Sequence, residues 1–156
     1  QIKNNYENII AVDKGLEILD ICNIKPNYII GDFDSLNENI LEKYINDNFD
    51  VIIGSSMGGF AGFYLSQMMN KPAFLFNPAL KERSVFQEIP NVNLHRTKIN
   101  ILLGVKDDVV PNEKTFDFLE TYKTDSQISI LMNHEMAHGV PISVFKNELS
   151  TYLKSL

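Results

Sequence analysis

Tryptophan is absent from this 156-residue chain, and there is a single cysteine, Cys22. A lone cysteine cannot close an internal disulfide, so the fold must rest on its core, and a reducing, cytoplasmic setting is expected. Basic residues are in deficit: 14 Lys and Arg face 20 Asp and Glu, giving a net charge of −6. A surface that binds nucleic acid or an anionic membrane needs clustered Lys and Arg, so neither is expected as a partner. No apolar run reaches the length of a membrane span, and no charged-then-apolar leader opens the chain. Internal repeats, low-complexity tracts and linkers are lacking too.

What is present is an ordinary globular composition, 44% hydrophobic and 22% charged. A chain of this length buries enough surface for a full core and is expected to form one domain over residues 1–156. Short β-branched runs alternate with amphipathic stretches. Ile9–Val12, Tyr28–Ile30, Val51–Ile53, Ala73–Phe76, Ile99–Leu103 and Ile128–Met132 read as strands. Helical spacing follows Leu16, Ile18, Leu19 and Cys22, then Ile40, Leu41, Tyr44 and Ile45, behind a capping box of Ser35 and Glu38. Further helices are predicted around Phe60–Met68, over Asn112–Tyr122 and over Ile142–Leu153, while Lys81–Lys98 reads as a loop with one short helix at most. Strands alternating with helices predict an α/β fold: a three-layer sandwich around a mostly parallel sheet of about six strands. Its N-terminal half has a flavodoxin-like or Rossmann-like order of elements.

Gly54-Ser55-Ser56-Met57-Gly58 spells G-x-S-x-G between a predicted strand and a predicted helix, and Gly59 follows. That is the context in which the pattern acts as a nucleophile elbow. A serine on a tight strand-to-helix turn forces strained backbone angles, and glycines give the room for strand and helix to approach. The helix N-terminus then offers N–H groups to a developing oxyanion, with the Met57 N–H as one donor. The bland alternative is a connecting turn. A phosphate loop fits less well, because no lysine follows the glycines.

A serine nucleophile needs a base and a carboxylate to orient it, and α/β-hydrolases carry them in the chain order Ser, Asp or Glu, His. The strand Ile99–Leu103 leads to Asp107 and Asp108, and the strand Ile128–Met132 leads to His134 and His138. Both pairs follow strand ends, where open α/β sheets hold their ligands. Asp107 is preferred, with Asp108 as its solvated neighbour; His138 is preferred as base over His134. His95 reads as a surface residue. His134-Glu135-Met136-Ala137-His138 also spells the zinc motif H-E-x-x-H, but Gly139 and Pro141 break the helix that motif requires. No metal is expected there. Near the N-terminus, Asp32 and Asp34 follow a strand and either hold Mg²⁺ or cap the next helix beside Ser35.

From Phe49 to the C-terminus the chain resembles the YqiA-like esterases, a family of small α/β-hydrolases. The matching pieces are Val51–Gly59, Asn77-Pro78-Ala79, Gly104-Val105-Lys106-Asp107 and Met136-Ala137-His138. The resemblance implies a carboxylic ester or thioester hydrolase acting on small acyl substrates without a cofactor. It assigns Ser56 as nucleophile, Asp107 as orienting acid and His138 as base. Residues 1–48 instead resemble the N-terminal domain of thiamine pyrophosphokinase, through Ala11–Gly15 and Lys25–Leu36. That family uses the aspartates of its G-D-F-D-S turn, here Asp32 and Asp34, for Mg²⁺-nucleotide, together with a K-D-x-T-D element that this chain lacks. The hydrolase family in turn opens with a strand ending in His-Gly-Phe, and here Asp13-Lys14-Gly15 occupies that place. The chain therefore reads as a hybrid joined around Asn46 to Asp50. Three outcomes are expected to compete: a serine hydrolase weakened at its oxyanion loop, a Mg-nucleotide or diphosphate-binding module, and a catalytically silent chimera.

Overall fold

Among the described residues, strands and helices stand where their apolar patterns place them. A computed structural model describes residues 10–12, 20–23, 25, 28–30, 50–81 and 94–155. The chain divides into two compact units, Gln1–Phe49 and Asp50–Leu156. In the first, β1 (Ile10–Val12) and β2 (Tyr28–Ile30) pair in parallel, Ile10 opposite Tyr28 and Val12 opposite Ile30. The strand-end residues Asp13-Lys14-Gly15, the acidic turn of Asp32 and Asp34 and the predicted helix of Ile40–Ile45 lie outside the described residues.

The second unit runs β3 (Ile52–Ser55), α1 (Ser56–Met69), β4 (Ala73–Phe76), β5 (Lys98–Gly104), α2 (Asn112–Thr121), β6 (Gln127–Asn133) and α3 (Ile142–Leu153). Its sheet has the order β3-β4-β5-β6, every pair parallel. The sheet of about six strands that the sequence suggests is thus corrected. Among the described residues all six strands form, with ladders in a set of four and a set of two, the three-residue β1 and β2 hydrogen-bonding to one another within the first unit. Most of the loop between β4 and β5, residues 82–93, lies outside the described residues.

Alternation along the strands builds two cores. Ala73, Leu75, Ile99, Ile101 and Leu103 point to one face, where they pack on Phe60, Phe63 and Tyr64 of α1, with Phe118 and Leu119 of α2 against them. Phe74, Phe76 and Leu102 point to the other face, under Tyr152, Phe145 and Leu149 of α3. Both faces are covered, giving three layers, which is why β4 is apolar at every position. Phe63 meets Phe118 and Tyr122 edge-on at centroid distances of 5.6 and 5.1 Å, and truncating it to alanine should cost about 3–5 kcal/mol. No helix among the described residues is long and apolar enough to cross a membrane.

Helix ends follow local chemistry. α1 stops at Asn70, whose left-handed φ of 53° closes the last turn. α2 and α3 both start after a proline, Pro111 and Pro141, whose missing N–H needs no helical partner. The register sets Ser55 beside Phe76, Phe76 beside Leu102, and Gly104 beside Asn133. The C-terminal ends of four parallel strands therefore share one rim, and Ser56, the Asp107–Asp108 pair and the His134 and His138 pair follow three of those ends.

Candidate active site

Ser56 is the first residue of α1 and follows β3 directly. Its φ is +54°, a left-handed conformation that serine adopts only when its surroundings impose it. Those surroundings are the glycines. A Cβ on Gly54 would fall 2.2 Å from the Gly58 carbonyl oxygen, and one on Gly59 would fall 2.8 Å from Cα and Cβ of Pro78. The turn closes only because both side chains are missing.

The base and acid loops are laced to each other. The Val105 N–H donates to the Asn133 carbonyl at 2.9 Å, and the Lys106 N–H to the Met136 carbonyl at 3.0 Å. Asn133 Oδ1 accepts from the Glu135 and Met136 N–H groups at 3.0 and 3.1 Å, which turns the chain after β6. Gly104 lets the loops meet, since its Cβ would lie 2.4 Å from the Met136 carbonyl oxygen. Above them Lys106 pairs with Glu135, and its hydrogen bond holds the Glu135 carboxyl below the ordinary carboxylate range.

This frame brings three distant residues together. His138 Nε2 lies 3.1 Å from Ser56 Oγ, and His138 Nδ1 lies 2.9 Å from Asp107 Oδ2 and 3.1 Å from Oδ1. The Asp107 side chain is wholly buried, while that of His138 keeps 26% exposure. Asp107 Oδ1 also accepts the Val109 and Val110 N–H groups at 2.9 and 2.8 Å, so the carboxylate is fixed as an acceptor facing the imidazole.

The alternatives weighed from sequence fall elsewhere. Asp108 is exposed. His134 is exposed on the turn after β6, and no helix runs from His134 to His138, so the H-E-x-x-H residues do not share a helical face. Among the described residues no group of three metal-ligating side chains converges. Met57 is the second residue of α1, where a helix N–H has no intrahelical acceptor.

Asn77 is the residue that sequence reading underrates. Asn-Pro after a strand signals a turn, and nothing in that signal tells that this asparagine is fully buried beneath the site.

Residues 31–148 match the family described as serine hydrolase (FSH1). The chain belongs to that family. A second match, to the thiamin pyrophosphokinase catalytic domain, covers residues 1–56. The two families follow the division seen in the motifs, although the hydrolase match begins at residue 31, ahead of Phe49, and names FSH1 rather than the YqiA-like esterases. No curated protein matches the chain. Among solved structures it is similar to α/β hydrolase domain-containing protein 10 from mouse, at 11% identity and TM-score 0.53, over 74% of this chain and 66% of that one. It is also similar to a serine hydrolase of carbazole degradation, the CarC enzyme, at 18% identity and TM-score 0.51, over 75% and 69%. These likenesses show the α/β-hydrolase fold. A lidless α/β serine hydrolase from Xanthomonas campestris matches at 17% identity and TM-score 0.44 over 56% of this chain, which spans 38% of that structure's length.

Proposed function

We propose that the chain cleaves small acyl esters or thioesters through Ser56, His138 and Asp107. Ser56 Oγ attacks the acyl carbonyl carbon as His138 Nε2 takes its proton. Asp107 accepts the Nδ1–H, fixes the tautomer and stabilises the imidazolium that forms. The Met57 N–H and the positive end of α1 face the developing oxyanion. When the tetrahedral intermediate collapses, His138 returns the proton to the leaving oxygen or sulfur, and an alcohol or thiol departs. Water then attacks the acyl-serine with His138 as base, releasing the acid and restoring the hydroxyl. The partner is a small acyl substrate, and no cofactor enters any step.

The observation that carries this reading is the unbroken contact from hydroxyl to imidazole to buried carboxylate, 3.1 and then 2.9 Å. In the sequence Asp13-Lys14-Gly15 stands where the hydrolase family has His-Gly-Phe, and the Met57 N–H is the donor assigned here; a hydrolase working with one donor should turn over about 10²–10³-fold more slowly than one with two. A fluorophosphonate probe should label Ser56 in the wild type and fail on Ser56→Ala, with p-nitrophenyl acetate hydrolysis lost in parallel. Unlabelled wild-type protein would refute the assignment.

The match over residues 1–56 favours a second reading, a Mg-nucleotide or diphosphate site at Asp32 and Asp34. Mg-ATP should then raise the melting temperature, and Asp32→Asn should abolish the shift. If neither probe nor nucleotide has any effect, the chain is a silent chimera.

A further inference from the structure

Asn77 is 0% exposed and takes no part in the acyl chemistry above. It follows β4 with a left-handed φ of 42°. Its Nδ2 donates to the Ala137 carbonyl at 2.9 Å and to the His138 carbonyl at 3.0 Å. Its Oδ1 accepts the Gly104 N–H at 2.7 Å, and its own N–H donates to the Leu102 carbonyl at 2.9 Å. One side chain thus ties the end of β5, three residues ahead of Asp107, to the two peptide units that flank the His138 Cα. The same loop reaches the nucleophile. The Ala79 N–H donates to the Ser56 carbonyl at 3.0 Å, and Pro78 packs where a Gly59 Cβ would stand.

Among the described residues no other hydrogen bond holds the backbone of residues 137–139. Packing does not replace it on the far side, since a Cβ on Gly139 would meet nothing within 4 Å. Two bonds from one rigid amide to consecutive carbonyls fix the plane of the His138 peptide, and with it the direction of the imidazole. An unpaired buried amide costs free energy, which keeps the arrangement from drifting.

We infer that Asn77 is a positioning residue: its carboxamide aligns His138 between Ser56 Oγ and the Asp107 carboxylate. This rests on reading those three residues as the acyl-transfer triad. The left-handed backbone explains why asparagine suits the position, being among the side chains that tolerate that region.

The test uses Asn77→Asp, which keeps shape and the acceptor for the Gly104 N–H but replaces the donor amide with oxygen facing two carbonyls. Gln67→Ala is the control. Gln67 is an equally buried amide of α1 bonded to Thr124 at 2.8 Å, away from the rim. For p-nitrophenyl acetate, Asn77→Asp should lower kcat about 10²-fold with little change in KM, as expected for an angstrom-scale displacement of a reacting group. In a His138→Ala background the same change should cost less than about twofold, because the group it aligns is gone. An equal loss in both backgrounds, or wild-type kcat in Asn77→Asp, overturns the inference. Gln67→Ala should lower the melting temperature while keeping kcat. The low-field Nδ1 proton resonance of His138, identified by its loss in Asp107→Asn, gives a readout without turnover. It should vanish in Asn77→Asp and persist in Gln67→Ala, and its persistence in Asn77→Asp counts against the inference. Hydrolysis by Ser56→Ala at the wild-type rate would instead strike the triad reading, and the resonance would still decide the role of Asn77.

Discussion

Gly54→Ala tests the elbow most directly, because the added carbon has nowhere to go. Its Cβ would stand 2.2 Å from the Gly58 carbonyl oxygen, 2.6 Å from its carbonyl carbon and 2.9 Å from the Gly59 nitrogen. Ordinary carbon–oxygen contact needs about 3.3 Å or more, so strand and helix must part by about 1 Å. All three obstructing atoms are backbone in the first turn of α1, so relief cannot come from a side-chain rotation. Ser56 rides on that turn, and its hydroxyl sits 3.1 Å from His138 Nε2, so the same separation breaks the contact. The expected result is a fluorophosphonate labelling rate about 10²-fold lower, with a stability loss of about 1–3 kcal/mol from overpacking. Two controls separate the effects. Gly62→Ala meets the tip of the Leu75 side chain at 2.9 Å, so it should reduce stability but leave labelling intact. Gly139→Ala, next to His138 but facing open space, should change neither. Labelling of Gly54→Ala at the wild-type rate would refute the account of the turn.

Asp107→Asn should lower kcat by about 10³–10⁴, because the amide cannot hold the required imidazole tautomer, whereas Asp108→Asn should leave kcat unchanged; ester hydrolysis rates decide between them. The Tyr152 hydroxyl is buried without a hydrogen-bond partner among the described residues, so Tyr152→Phe should raise stability by about 1 kcal/mol in urea denaturation at pH 7. Burial pushes the Tyr152 phenol up from 10.0 to about 12. A raised phenol favours the neutral folded form, so this contribution is intact below pH 10 and is lost as pH climbs towards 12. Wild type should therefore lose about 2 kcal/mol more than Tyr152→Phe across that window, and parallel pH–stability curves would refute the assignment.

The order of strands and helices was legible because apolar residues recur with the period of each element, and α3 matches its sequence-predicted bounds of Ile142–Leu153. The elbow was legible for the same local reason: Gly54, Ser56, Gly58 and Gly59 lie within six residues, and the clash distances at Gly54 and Gly59 involve near neighbours and one following loop. The lacing of strand ends was not. Whether six strands make one sheet or a four and a two depends on which ladders close, and strand patterns are alike in either case.

Residue order alone supplies the components of the site: a serine on a glycine turn, two adjacent aspartates and two histidines, each set after a strand. Only the tertiary structure chose among them. Asp107 and Asp108 differ by one position, and the turn after Gly104 buries the first against His138 while leaving the second in water. His138 meets Ser56 across 82 residues of separation, and Asn77 meets His138 across 61. Contacts at that range follow from the parallel register that aligns the strand ends. Local spacing carries no record of that register, because it arises from packing on both faces of the sheet.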